Sequence, residues 1–185
     1  QTCALPISEK AAFDTIVAGG ERSALPHAHP TGYRLVGNEL LLIDMGACLD
    51  GYCSDMTRVV HLGPPAKRVK QMYAAVLEAQ LAAIDAVRPG ATAGSVDKAA
   101  RQVLKKHGLD KAFVHSTGHG LGLEIHEPPR LGRKDETILV PGMAITIEPG
   151  AYVEGQGGIR IEDTVLVTQT GCEVLTPSSK EFIVI

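Results

Sequence analysis

Four carboxylates and one imidazole stand where apolar residues would be expected. Asp44 ends LLLID, Asp55 interrupts YCSDMTR, His119 lies in STGHGLG, Glu148 ends ITIE and Glu162 ends IRIE. Each follows or interrupts residues that read as buried strand or tight turn, not as charged surface. An apolar interior does not hold four carboxylates unless cations neutralise them, so the pattern points to a dinuclear metal centre. Hard carboxylate oxygens with a single imidazole favour manganese, iron, cobalt or zinc over a structural zinc knot. Two ions about 3.5–4 Å apart would share a hydroxide, lower the pKa of its parent water and polarise a carbonyl, the equipment for amide hydrolysis. Glu148, at the edge of the set, would pass the proton to a leaving amine while remaining a ligand. His27, His115 and His126 are available to orient a substrate or stabilise an oxyanion.

The bulk numbers leave room for this chemistry and exclude others. A chain of 185 residues, 44% hydrophobic and 21% charged, builds one domain with a substantial core. The formal net charge of −3 would be +1 without the four carboxylates, so the acidic balance lies in the site, and nothing calls for nucleic acid as a partner. No stretch approaches the roughly 20 apolar residues of a membrane helix. Cys3, Cys48, Cys53 and Cys172 form no CxxC pair, so they read as scattered thiols and a reducing, cytoplasmic compartment fits. Cys48 and Cys53 flank the turn between Asp44 and Asp55, and packing is their plainest role.

The elements that must position these groups are legible from periodicity. Phe13–Ala18 reads as a strand, followed by a polar loop that carries His27. Glu39–Asp44 reads as a strand buried on both faces, Gly46–Gly51 as a turn and Tyr52–Leu62 as the returning strand, a hairpin that brings Asp44 and Asp55 side by side. Pro64-Pro65 opens a helix in which Val69, Met72, Tyr73, Val76, Leu77, Ile84 and Val87 recur at helical steps, until Arg88-Pro89-Gly90 stops it. A second helix runs from Ala93 to His107 with Thr92 as N-cap, and Lys105, Lys106 and His107 complement its C-terminus before Gly108. From Ala112 onward the pattern is strand and turn. Period two puts Ala144, Thr146 and Glu148 on one face and Arg160, Glu162 and Thr164 on another, both facing a solvated cleft. The fold class is therefore α+β, with two helices against a mainly antiparallel sheet.

With these residues in place, the chain resembles the pita-bread-fold metallopeptidases, and among them the Xaa-Pro dipeptidases (prolidases) and Xaa-Pro aminopeptidases, over nearly all of Phe13–Thr176. That family's ligands are Asp, Asp, His, Glu and Glu in this order, which fall here on Asp44, Asp55, His119, Glu148 and Glu162. The resemblance implies two divalent ions, with Asp44 on one, His119 and Glu148 on the other, and Asp55 and Glu162 bridging. SALPHAHPTG and GHGLGLEIHEPP resemble the substrate-side loops. By that likeness His27 and His126 bind substrate or stabilise the intermediate, His115 belongs to the proline pocket, and Arg160 helps hold the bridging carboxylates near the substrate. The implied partner is a peptide with proline at the second position, and the complete protein is expected to be a homodimer. Relatives usually carry an N-terminal domain and an opening catalytic-domain helix that are absent here. Residues 8–185 are thus expected to be a truncated catalytic domain, with Gln1–Ile7 a leader foreign to it.

Bland readings compete with each residue taken alone. A single Asp or His at a strand end is ordinarily a turn former or a satisfied core group, but five in the right order are not. For His115 and Arg160 a buried hydrogen-bonding or ion-pairing role stands beside substrate contact, while His61 and His107 read as structural. Methionine aminopeptidase uses the same five ligands, but LPHAHPT and EIHEPP resemble the Xaa-Pro branch more. A catalytically silent, peptide-binding relative is the alternative from another class, since this fold also serves without catalysis.

Overall fold

A computed structural model describes residues 8–185; the expected leader lies outside them. In chain order the elements are β1 (Lys10–Ala11), β2 (Ile16–Gly19), β3 (Glu39–Met45), β4 (Ala47–Leu49), β5 (Tyr52–Cys53), β6 (Met56–Leu62), α1 (Lys67–Ala86) and α2 (Ala93–Lys106). After the helices come β7 (Gly118–Gly120), β8 (Glu127–Leu131), β9 (Ala144–Ile147), β10 (Gly150–Val153), β11 (Gly157–Arg160), β12 (Asp163–Val167), β13 (Cys172–Val174) and β14 (Ile183–Val184). Two sheets dominate, one of order β14-β6-β3-β2 and one of order β13-β12-β9-β7-β8. Among the described residues every strand pairing is antiparallel except that of β14 with β6.

The run Leu40-Leu41-Leu42 is buried on both faces because β3 lies between β2 and β6 with helices behind it. Leu40, Leu42 and Val59 from that sheet, Val76 and Ala79 from α1, Val96, Ala100 and Leu104 from α2, and Ile145, Ile147, Ile159 and Val165 from the second half form one core. Burial of each large aliphatic side chain contributes roughly 1.5–3 kcal/mol. The helix ends follow their chemistry. Thr92 Oγ1 accepts from Ser95 N at 3.2 Å to cap α2, and Gly108, with φ 70°, takes the left-handed conformation just past the C-cap His107. His107 Nε2 meets Glu78 at 2.8 Å on the surface, and His61 Nδ1 bonds Gly63 O at 2.7 Å inside, so both serve the fold.

Three expectations change. The strand expected at Phe13–Ala18 is β2, Ile16–Gly19, which starts and ends later, and the short β1 precedes it. Gly46–Gly51 is not one turn: β4 occupies it, and only Asp50 and Gly51, at φ 51° and 82°, form the two-residue turn into β5. The returning strand breaks at Ser54-Asp55, so Asp55 projects from a strand end, the position a ligand needs.

Candidate metal centre

Two pairs of facing strands bring the acids together. Asp44 pairs with Thr57 across β3 and β6, and Asp55 lies two residues before Thr57, so the two aspartates are diagonal neighbours and not directly opposed. On the other side, Ile147 faces Asp163 and Gly150 faces Arg160 in one continuous register. Glu148 therefore falls opposite Glu162, at the point where both strands break. His119 comes from β7, whose neighbours leave no room beside it. A Cβ on Gly118 would collide with the Thr146 carbonyl oxygen, and one on Gly120 with that of Pro128. A bulge between His119 and Gly120 aims the ring.

One ligand atom each from Asp55, His119 and Glu162 lies within 4.8 Å of the others, so these three form a group able to hold a metal ion. His119 Nε2 is 3.5 Å from Glu148 Oε1 and 3.7 Å from Asp55 Oδ2. Its Nδ1 bonds Gly120 O at 2.9 Å. A carbonyl only accepts, so Nδ1 carries the proton and Nε2 turns its lone pair toward the acids. Burial pushes this imidazole down to about 4, which keeps it neutral. A neutral nitrogen lone pair facing carboxylates is repelled unless a proton or a cation stands between them.

The carboxylates give the same indication. Burial, then the negative charges of Asp44 and Glu148, push Asp55 up to about 8. Glu148 is raised to about 7 by burial, against the pull of Arg160 and with Asp44 adding to it. Glu162 is held well above the usual carboxylate range by burial and by Asp55, Glu148 and Asp44. Asp44 Oδ1 and Asp55 Oδ1 are buried without a hydrogen-bond partner among the described residues. Buried, orphaned, mutually repelling oxygens beside an imidazole lone pair are what divalent cations satisfy.

Supporting groups bind the remaining oxygens. Thr57 Oγ1 donates to Glu162 Oε2 at 2.5 Å, and Arg160 Nη2 donates to Asp44 Oδ2 at 2.6 Å. Arg160 also donates to Thr57 Oγ1, Tyr152 Oη and Pro26 O, so its guanidinium is committed to holding the site. It reaches Asp44 directly, and Glu162 only through Thr57. Burial works against its charge, but the Tyr152 hydroxyl and the carboxylates of Asp44, Glu162 and Glu148 keep it protonated. Glu162 lines the cavity from its floor: it is 2% exposed, and Thr146 and Thr164 beside it are buried too, because the Asp44–Thr57 sheet covers that polar face.

A cavity of about 700 Å³ opens over the centre, lined by all five predicted ligands together with His27, His115, His126 and Arg160. The His126 ring lies 4.3 Å from that of His119, edge to face. His115 bonds Ser116 O through Nδ1 and Tyr152 Oη through Nε2, both at 2.8 Å, so it offers the cavity its ring and not a free nitrogen. Sequence reasoning missed several supports: Thr57, Tyr152, Asp97 and Asp163. Asp97 bonds Arg101 at 2.7 Å and accepts from Thr117 N and Oγ1, which steadies the strand leading to His119. Asp163 joins Arg58 and Lys180, each at 2.6 Å, beneath Glu162. Burial alone would raise the Asp163 carboxyl, but hydrogen bonds from Lys180 and Arg58 outweigh it and hold it low.

An α+β frame that converges acids and one imidazole on an interior cavity defines a candidate metal-binding centre, and comparison with known proteins gives the family. The family model described as metallopeptidase family M24 matches residues 4–169, and the chain belongs to that family. It is 49% identical over 176 residues to a Xaa-Pro dipeptidase of Pyrococcus furiosus, covering 95% of this chain and 51% of the relative. Among solved structures, it superposes on a Xaa-Pro dipeptidase from Bacillus anthracis with a TM-score of 0.96 at 44% identity, covering 98% of this chain and 51% of that one. An X-Pro aminopeptidase from Thermotoga maritima gives 0.94 at 41%, with 97% and 51% covered. The architecture is the pita-bread fold of the prolidases. The chain spans about half the length of the relatives it matches. Among the described residues no helix is long and apolar enough to cross a membrane.

Proposed function

We propose that residues 8–185 are the catalytic domain of a dinuclear-metal peptidase that cleaves the bond before a proline in second position, in dipeptides or at peptide N-termini. The observation that carries this reading is the pair of orphaned oxygens, Asp44 Oδ1 and Asp55 Oδ1, beside the neutral His119. Similarity to Xaa-Pro dipeptidases and an X-Pro aminopeptidase supports the substrate class. Asp44, Asp55, His119, Glu148 and Glu162 would hold two divalent ions drawn from manganese, cobalt, zinc and iron. When bound, the ions supply Lewis acidity and an acidified water for attack on the scissile carbonyl.

The remaining chemistry falls to side chains. Glu148, at the cavity wall, would accept a proton on a carboxyl oxygen from the attacking water and deliver it to the departing proline nitrogen. His27 and His126, at the cavity wall, donate to the developing oxyanion and the substrate backbone. The His115 ring, backed by Phe113 and Tyr152, gives a flat apolar surface for the pyrrolidine ring, which has no N–H to satisfy. Arg160 holds the centre by pairing Asp44.

Manganese- or cobalt-loaded protein carrying this domain should hydrolyse Xaa-Pro dipeptides or Xaa-Pro-Yaa tripeptides and leave Xaa-Ala controls largely intact. Loss of all proline preference would overturn the substrate assignment. Metal stoichiometry near zero under metal-replete conditions would instead favour a peptide-binding relative.

A further inference from the structure

A second cavity, of about 870 Å³, adjoins the metal cavity and shares His115, Ser116, Arg130 and Asp135 with it. Beyond that shared rim its wall is basic. Lys111, Arg133 and Lys134 line it, and none of the three has an ion-pair or hydrogen-bond partner through its side chain among the described residues. Arg101, also in the wall, is committed to Asp97 and to the carbonyls of Phe113 and His115. The opposing acids are Asp110 and Asp135, and Asp135 Oδ1 already accepts from Thr137 N at 2.9 Å.

Arg133 and Lys134 are presented on a braced turn, and Lys111 on the turn that follows α2. Asp135 N donates to Gly132 O at 3.2 Å, and Gly94 N, in the first turn of α2, donates to Asp135 O at 2.8 Å. A Cβ on Gly94 would lie 2.8 Å from that same oxygen, so the close approach requires glycine. Lys134 itself sits at φ 62°, a left-handed conformation unfavourable for a long side chain. Unpaired like charges gathered on one wall repel one another, and an anionic ligand relieves that repulsion.

We propose that this groove is an extended substrate subsite for peptides whose carboxylates lie downstream of the proline, as acidic side chains or as the chain terminus. The direction follows from the shared rim: a peptide whose proline rests on the His115 ring continues past Ser116 and Arg130 toward Arg133, Lys134 and Lys111. This rests on the Xaa-Pro peptidase reading for the position of the proline, while the charge preference of the groove is testable without turnover.

Equilibrium binding of labelled peptides to the metal-loaded protein carrying this domain tests it, with the Ala-Pro bond of each peptide reduced to an uncleavable methyleneamine. Ala-Pro-Gly-Asp-Asp-Gly amide is compared with its Asn-Asn counterpart, and with the Asn-Asn peptide bearing a free C-terminus. The acidic amide should bind about five- to tenfold tighter at low salt, the sum of a few exposed ion pairs, with the advantage gone near ~0.5 M salt. The free-acid arm reports how much of the effect a chain terminus supplies. The triple variant Lys111→Ala, Arg133→Ala, Lys134→Asn should abolish the preference while leaving binding of the neutral amide and cleavage of Ala-Pro amide unchanged; asparagine is used because it tolerates the left-handed backbone. Charge reversal by Lys111→Glu and Arg133→Glu should transfer the preference to a Lys-Lys peptide. Equal affinity for acidic and neutral peptides, or an acidic advantage that survives the triple variant, overturns the proposal. Absence of Xaa-Pro cleavage together with an acidic preference that the triple variant removes would sink the peptidase reading and leave the subsite standing.

Discussion

Glu148 and Glu162 face each other in a single register, at the one place where their strands both break. Strand breaks free both carboxylates from the sheet's alternation, so they meet His119 and Asp55 instead of the core. Each would therefore contribute to one shared charge balance. Glu162→Gln or Asp55→Asn should reduce metal occupancy and turnover together, by more than the roughly 10–100-fold that loss of a supporting residue brings. His126→Ala should leave metal stoichiometry intact and lower kcat by roughly 100-fold. Metal analysis alongside kinetics separates the two, and two firmly bound ions in Glu162→Gln would refute its bridging role.

A pH dependence of the metal-free protein follows from the same crowding. The folded values of Asp55, about 8, and Glu148, about 7, lie above the ordinary 3.8 and 4.5. Their contribution to stability is present below the ordinary values and is lost as pH rises through the folded ones. His115 and His119 work oppositely: held down to about 4 from 6.5, their contribution is present above 6.5 and lost as pH falls toward 4. At pH 6.5 an unfolded histidine is already half neutral, so from there to pH 8 the acids outweigh the histidines and metal-free protein should melt at lower temperature at pH 8 than at 6.5. Metal-loaded protein should show little change, and metal uptake at pH 7 should release protons, read by calorimetry in buffers of different ionisation enthalpy. Metal-free melting that rises from 6.5 to 8 would contradict the assigned protonation.

The candidate ligands were legible because each acid ends or interrupts an apolar strand, a position with no surface explanation. Their supports were harder to read. Thr57 stands two residues from Asp55 in a strand, so the period-two rule alone would have put it on the same face. Asp97 occupies the apolar stripe of α2 between Ala93, Val96 and Ala100, a signal that a buried acid needs a partner, yet the partner Thr117 lies 20 residues away. Tyr152 gave no local sign, because its bonds to His115 and Arg160 depend on how β10 and β11 sit against the 115 loop. Strand bounds slipped where turn residues alternate with short strands, as at Gly46–Gly51, since two-residue ladders leave almost no periodicity to read.

Tyr152 passes order between the centre and the cavity wall. Arg160 Nη1 donates to its hydroxyl at 2.8 Å, so the hydroxyl proton is directed to His115 Nε2, and burial pushes the phenol up to about 12. Tyr152→Phe should leave Nε2 unsatisfied, lower stability by about 1–3 kcal/mol and raise KM for proline substrates more than it lowers kcat. Nitrogen NMR should then report a changed His115 tautomer balance. An unchanged His115 signal and unchanged KM would remove Tyr152 from any positioning role.

Asp97 offers the sharpest stability test because its two functions separate. Its Oδ2 holds Arg101, whose guanidinium lies 4.2 Å above the Phe113 ring, while Oδ1 holds both the amide and the hydroxyl of Thr117. Asp97→Ala removes a partner from a largely buried charge and strands two donors, so a loss of about 3 kcal/mol is expected from denaturant unfolding. Asp97→Asn keeps an acceptor for Thr117 but weakens the arginine pair, and should lose about half as much. Thr117 O accepts from Glu148 N at 2.7 Å. The same substitutions should therefore loosen metal binding in the order Ala, then Asn, although neither touches a ligand side chain. Equal stability of the two variants would mean that the arginine pair, not the Thr117 link, carries the effect.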